Sequence, residues 1–461
     1  LPGDLVFPDG FQWGIAMSAF QTEGNVENDW TDWAATGKAP PLGDACDSWN
    51  RWPEDVQVAS DLGVKVFRMS IEWARIEPEE GTFDEAAIAH YHDFLTAVRQ
   101  AGMEPLVTLH HFTNPRWVAE QGGWSDPRIV ESFRAYAAFV GEHLGDVVDY
   151  WNPQNESVVY ITGMALVSVF PGGKMFDVDF LRQMFRQTVF ANAAGVDALR
   201  ASDLTDADGD DKPVVSWLVH ATSPTYPAEP ASAADVTAAD NWDYLYNLAF
   251  VNALVYGELD LDFDRNIDPN VLVSGLHEGT FTELKGRVDV LGINYYARNF
   301  VMSVPDVIPN VDALPCVNGM CGNLGPIAGD NGNEVYPAGL YRALKMFAPF
   351  GLPLFVSENG VADAEDDLRP AYLVQHLAQV HRAIADGVDV RGYLHWSLLD
   401  NYEWVSGYTM KFGLVAVDFE TQVRTPRPSY DLYRDIVAAN AVPKTALDQW
   451  PLDGIVVAPG D

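Results

Sequence analysis

The chain has 461 residues, 48% of them apolar, and carries 66 acidic against 28 basic side chains for a formal charge of −38. That charge repels nucleic acid and anionic membrane surfaces as partners, and no window offers the ~18 unbroken apolar residues of a membrane-spanning helix. Three cysteines are too few for a disulfide scaffold, and the length suits one large domain over 1–461 with long loops.

Taken in order, eight apolar β-like segments recur, at 11–21, 64–73, 104–112, 147–156, 213–221, 288–296, 352–360 and 390–398. Between them lie helical stretches at 53–62, 85–100, 127–144, 180–201, 243–259, 337–347 and 370–386. Continuous apolar runs read as strands buried on both faces, and their alternation with helices reads as a parallel sheet. Eight repeats predict closure into an α/β (β/α)8 TIM barrel. An open doubly wound sheet would call for a glycine-rich phosphate turn after the first strand, and Gln21-Thr22-Glu23-Gly24 is not one. The stretches 222–239 and 301–333, rich in Pro with Ala and Ser or with Gly and Asn, read as long loops around a mouth.

Two of the segments end on a carboxylate. LPLFVSENG (352–360) drives Glu358 out of an apolar run, and VVDYWNPQNE (147–156) does the same with Glu156 behind Asn155. In such barrels chemistry is built at the carboxyl ends of strands, and two carboxylates there form the pair that glycoside hydrolysis requires, without metal or cofactor. Gln21, Arg68, His111, Asn294, Tyr296 and Trp396 also stand at or near segment ends. Singly, Arg68 or His111 fits a satisfied buried group; jointly they predict one polar mouth.

Elsewhere the signals are weaker. In DLTDADGDD (203–211), Asp206, Asp208 and Asp210 have the first spacings of a calcium loop, but Asp211 holds its glycine position and Trp217 its closing glutamate position, so a solvated acidic turn is expected. Cys316 and Cys321, in CVNGMC, fit either a small disulfide ring or two free thiols, and Cys46 is the odd one out. The chain begins at Leu1 with no signal peptide visible, as in a processed or trimmed product, and a soluble, secreted or periplasmic location is expected ahead of a cytoplasmic one. The acidic excess predicts a fold that salt stabilises, in the manner of halophilic or marine proteins.

Taken together the motifs resemble family 1 of the glycoside hydrolases, the family of β-glucosidases and β-galactosidases. The resemblance rests on FQWGIAMSAFQTEG (11–24), FRMSIEWARIEP (67–78), TLHHFTNP (108–115), Asn155-Glu156, GINYY (292–296), SENG (357–360) and HWSLLDNYEW (395–404), in order along essentially the whole chain. RGYLHWSLLDNYEW (391–404) followed by GYTMKFGL (407–414) is most similar to the archaeal-type branch, as is the tandem Asp29-Trp30 and Asp32-Trp33.

The resemblance implies a retaining exo-acting β-glycosidase for terminal β-D-glucosyl residues, and β-D-galactosyl or β-D-fucosyl ones, by double displacement through a glycosyl-enzyme. Its substrates would be small β-glycosides or short oligosaccharides. Glu358 would be the nucleophile, supported by Arg68, Asn294 and Tyr296, and Glu156 the acid/base, its proton held partly by the other carboxylate's charge. Gln21, His111, Asn155, Glu403 and Trp404 would hold sugar hydroxyls and Trp396 would stack beneath the ring; a carboxylate at 403 disfavours a phosphorylated sugar. A glycosyl-transferring enzyme of the same fold, or a non-catalytic sugar-binding member, is the alternative.

Some positions depart from the family pattern. Ser157 stands where Pro is usual, Pro153 where Thr is common and Phe112 where Trp is frequent, all at positions that support the site. Asn333, where many relatives place an entrance Trp, predicts an open and polar aglycone side.

Overall fold

The computed structural model describes residues 3–270, 272–316, 321 and 327–452. Eight parallel strands close into a barrel: β1 (Gln12–Ala16), β2 (Val66–Ser70), β3 (Glu104–His110), β4 (Tyr150–Gln154), β5 (Val215–Ala221), β6 (Val290–Asn294), β7 (Leu354–Glu358) and β8 (Val390–Trp396). Each pairs with its neighbour in sequence, and β8 closes onto β1 through Gly392↔Gln12 to Trp396↔Ala16. Every residue of β2, β6 and β7 is buried, which is why these strands read as unbroken apolar runs. The eight strands fall inside the eight predicted segments.

Strand periodicity divides the barrel interior into layers. Val66, Leu106, Trp217, Val290, Phe355 and Leu394 form a cluster of their own towards the strand starts, each side chain worth roughly 1.5–3 kcal/mol of burial. Two residues along the same faces come Arg68, Gly292 and Ser357, and two beyond Gly292 comes Asn294. A Cβ at Gly292 would stand 2.6 Å from Ser357 Oγ, so only glycine lets that hydroxyl sit where it does. At Gly360 a Cβ would meet the Trp396 carbonyl oxygen at 1.8 Å, and the turn after Glu358 therefore presses directly on the end of β8.

Around the barrel run α1 (Ser48–Asp61), α2 (Glu85–Gln100), α3 (Ile129–Leu144), α4 (Val178–Ser202), α5 (Ala233–Asp243, continued through a π-turn at Tyr244–Leu248 into Ala249–Tyr256), α6 (Pro337–Phe347), α7 (Arg369–Ala385) and α8 (Pro428–Ala439). Three sequence expectations need correction here. α1 begins at Ser48 rather than 53, because Pro53 lies inside the helix instead of opening it. The predicted loop 222–239 contains a strand, Thr225–Pro227, and the start of α5, whose Ser232 Oγ accepts from the Asp235 N–H. The predicted loop 301–333 continues the strand Asn299–Ser303, which pairs in parallel with Thr225–Pro227 and antiparallel with Ala313–Pro315, so the two insertions join in one small sheet. α8 was not anticipated at all.

Cys316 and Cys321 are disulfide-bonded, while Cys46 is buried and free. The carboxylates of Asp206, Asp208 and Asp210 lie within 4.8 Å of one another, but Asp206 accepts the backbone N–H groups of Gly209, Asp210 and Asp211, an acidic turn closed on itself. Among the described residues no helix is long and apolar enough to cross a membrane.

Candidate active site

The carboxyl ends of the strands deliver their polar residues to one cavity of about 290 Å3, lined by Gln21, His111, Glu156, Tyr296, Asn333, Glu358, Trp396, Glu403 and Trp404 with several apolar side chains. A larger recess of about 1020 Å3 opens at the opposite end among Phe11, Glu104, Tyr150 and Phe355. Size alone would select the wrong end, since none of the predicted site residues reaches it.

Glu358, the last residue of β7, is buried against Arg68. Arg68 Nη1 donates to its Oε1 and the Tyr296 hydroxyl donates to its Oε2 at 2.6 Å, so each carboxylate oxygen has its own donor. Arg68 Nη2 also donates to Asn155 Oδ1 at 2.5 Å, tying the nucleophile candidate to the residue beside Glu156.

Glu156 is surrounded differently. It stands two residues after the end of β4, in a left-handed conformation at φ 48°, and opens the helix Ser157–Ala165. Burial pushes its carboxyl up to about 8, with the Glu358 charge as the second cause, against the opposing Asn294 hydrogen bond and Arg68 charge. Asn294, expected beside Glu358, donates instead to Glu156 Oε1 at 2.9 Å, while its own carbonyl accepts from Ser357 Oγ at 2.7 Å. The register pairs Asn294 with Glu358, yet the side chain crosses to the other carboxylate.

The remaining predicted residues form the floor and one wall. Gln21 Nε2 donates to Asn401 Oδ1 and the Tyr402 carbonyl, and its Oε1 accepts from Ser18 Oγ at 2.7 Å, which fixes the amide orientation. Burial holds His111 well below the usual histidine range, so it is neutral. Its Nε2 faces Asn155 Nδ2 at 3.3 Å, and its ring stacks with both Trp396 and Trp404 at 6.0 Å. Burial first, and the Glu358 charge after the opposing Trp396 hydrogen bond, push Glu403 up to about 8; its Oε1 has no partner among the described residues.

Sequence reasoning missed the residues that set these orientations, Ser18, Ser357 and Asn401, although all three lie within motifs it used. The departures are benign in place. Ser157 Oγ donates to Gln154 Oε1 at 2.9 Å and touches neither carboxylate. Pro153 falls in a gap of the β3–β4 ladder, between the Thr108↔Asn152 and His110↔Gln154 pairs. Phe112 is buried against Phe170 and Trp404 at 5.2 Å each.

The profile of glycosyl hydrolase family 1 matches residues 4–442. The chain belongs to that family. It is 30% identical to a β-galactosidase of Pyrococcus woesei over 95% of this chain and 98% of that one, and 31% identical to β-glucosidase A of Thermotoga maritima over 95% and 98%. Among solved structures it is similar to the β-glycosidase of Pyrococcus horikoshii, with a TM-score of 0.87 at 30% identity over 98% and 100% of the two chains. It is also similar to the Thermotoga maritima β-glucosidase in complex with glucoimidazole, with a TM-score of 0.83 at 28% identity over 94% and 99%. The protein is a glycoside hydrolase of the retaining β-glycosidase family, and its barrel is that of these enzymes.

Proposed function

We propose that this family 1 enzyme removes terminal non-reducing β-D-glucosyl residues, with β-D-galactosyl and β-D-fucosyl residues as further substrates, using Glu358 as nucleophile and Glu156 as acid/base. The observation that carries the assignment is the unequal setting of the two carboxylates in one cavity. Glu358 is matched by a guanidinium and a phenol on its two oxygens, the setting of a group that works as an anion. Glu156 is held up to about 8, so it carries a proton at neutral pH.

In the first step Glu156 gives its proton to the glycosidic oxygen as Glu358 attacks the anomeric carbon, and the aglycone leaves as an alcohol. Esterification removes the negative charge that helped hold the proton on Glu156, which then accepts a proton from the incoming water. The water oxygen bonds to the anomeric carbon, the ester C–O bond breaks, and the sugar is released with its original configuration. Gln21, His111, Asn155 and Glu403 supply donors and acceptors for the sugar hydroxyls, with Trp396 and Trp404 beside the ring. Among the described residues no Lys or Arg lines the cavity, which supports a neutral rather than a phosphorylated sugar. That absence is a firmer ground than a charge on Glu403, whose carboxyl burial pushes up to about 8. The non-catalytic alternative is not favoured, since both carboxylates and their partners are in place.

The test is hydrolysis of aryl β-glucoside and β-galactoside by wild type and by Glu358→Gly with added azide. The assignment expects an inactive variant that azide restores, giving an α-glycosyl azide. A variant that keeps wild-type rates without azide would overturn it.

A further inference from the structure

Beyond the sugar-binding floor, the cavity changes character. Outside the catalytic and sugar-binding residues its wall is chiefly apolar, with Val159, Val169, Phe170, Val405 and Phe412, and Asn333 is the one amide there among the described residues. Val159 lies three residues after Glu156, in the first turn of the helix Ser157–Ala165. A leaving group protonated by Glu156 must therefore pass beside that apolar turn. The polar entrance expected from Asn333 is not what surrounds it.

The loop after that helix is built to hold the apolar wall in place. Val169 N–H donates to the Gly163 carbonyl at 3.0 Å, Phe176 N–H to Leu166 at 3.2 Å, and Val167 bridges Met175. Gly163 has a specific reason: a Cβ there would lie 2.4 Å from the Phe170 ring, which packs at 5.2 Å from both Phe112 and Tyr160. With Phe170 anchored, the loop turns Val167, Val169, Met175 and Phe176 outward at 44%, 39%, 62% and 47% exposure.

Such side chains are scarce elsewhere on this acidic protein. Of the twelve large apolar side chains exposed among the described residues, four are in this loop, one is Val405 at 48%, and one is Ile327, whose carbonyl holds Val335 in the loop that carries Asn333. Half of the exposed large apolar set thus sits on three loops that also line the cavity. Single exposed valines need no explanation, but such a concentration on the loops that line one cavity, with Val169 and Val405 reaching the cavity itself, marks a binding surface.

Resting on the glycosidase reading above, we propose that this rim is an aglycone site for a hydrocarbon group, with Val169 and Val405 as specificity-determining residues. The favoured substrates are β-glycosides of long alkyl or arylalkyl alcohols rather than sugar-linked oligosaccharides. A second sugar unit needs hydrogen-bond partners, and among the described residues of this wall only Asn333 offers a side-chain amide; an alkyl chain needs only area removed from water.

The test uses n-alkyl β-D-glucosides from methyl to octyl, below micelle-forming concentrations, with cellobiose for comparison. Leaving-group basicity is almost constant from butyl upward, so kcat/KM across that range reports contact with the chain. The proposal expects a rise of about fourfold for each methylene that the rim fully buries, less for partial cover, and octyl glucoside above cellobiose. Val169→Asn combined with Val405→Asn should flatten the octyl-to-butyl ratio, a quantity independent of how much enzyme is folded. Leu204→Asn, an exposed apolar residue in the acidic 203–211 stretch, should leave that ratio as in wild type. A wild type with no rise from butyl to octyl, or a double variant that keeps the full rise, overturns the aglycone site while hydrolysis of methyl glucoside leaves the glycosidase reading standing. Failure on every glucoside, with aryl galactoside also inert, overturns that reading and this one with it.

Discussion

The two ends of the barrel are made from the same eight strands and do opposite work. Towards the strand starts the interior is Val66, Leu106, Trp217, Val290, Phe355 and Leu394, a layer without charge. Two residues along β2 and β7 it becomes Arg68 and Ser357, and at the strand ends it carries Asn294 and Glu358. A buried guanidinium beside a buried carboxylate adds little net stability, since desolvation offsets much of the attraction. The apolar layer stabilises the barrel that the mouth exploits. Changes at the two ends should therefore separate cleanly into losses of rate and losses of stability.

The largest effect that tests this separation is expected at the mouth. Glu156→Ala removes the proton donor, which should cost about 10²–10⁴ in kcat/KM for alkyl glycosides while the melting temperature falls little or rises, because a buried titratable group has gone. The loss should shrink for an aryl glycoside whose leaving group needs no proton. Equal losses on both substrates would mean that Glu156 is not the acid. Next comes the apolar layer at the strand starts. Phe355→Ala should lower stability by about 3–5 kcal/mol and leave kcat per folded molecule near wild type, measured by chemical unfolding beside active-site titration. A large fall in kcat with unchanged stability would show that the two layers are mechanically coupled rather than separable.

This division also explains what the sequence made legible. Strands buried on both faces leave long apolar runs, so all eight could be placed, and a carboxylate ending such a run is conspicuous. Glu156 and Glu358 stood out for that reason. What pattern could not supply was which neighbour a side chain chooses. Asn294 and Glu358 share a register position, yet the amide turns to Glu156. The apolar rim was invisible for a different reason: Val169 and Val405 in sequence look like any core valine, and only the course of their loops leaves them exposed. Pro53 misled because a proline more often opens a helix than sits within it, and 222–239 because its prolines hid an alanine-rich helix start.

A smaller effect refines the electrostatics of the mouth. The free enzyme needs Glu156 protonated, so kcat/KM should fall as pH rises through about 8. Asn294 Nδ2 favours the ionised form by donating to it; Asn294→Ala should therefore move that limb to higher pH, and a limb that moves down would contradict the hydrogen bond's role. Salt should leave the limb nearly where it is, because burial sets it and screening reaches buried groups weakly.

The smallest effect should appear where salt does act, on the surface. Two terms oppose each other there. Exposed pairs such as Arg116 with Glu27 and Asp32 contribute about 0–1 kcal/mol each and weaken with salt. Against them stands an excess of 38 negative charges whose mutual repulsion salt relieves. At about 0.1 M the Debye length is ~10 Å, and near 1 M it is ~3 Å, so molar salt removes repulsion between carboxylates that lie well beyond pairing distance. The buried pairs Arg68–Glu358, Arg298–Glu334 and Arg424–Asp55 are shielded from that change. Repulsion should win, giving a melting temperature several degrees higher in molar than in dilute NaCl, with the pH limb of kcat/KM almost unmoved. A melting temperature that stays flat or falls would mean that the surface pairs outweigh the excess, and that the acidic composition serves something other than tolerance of salt.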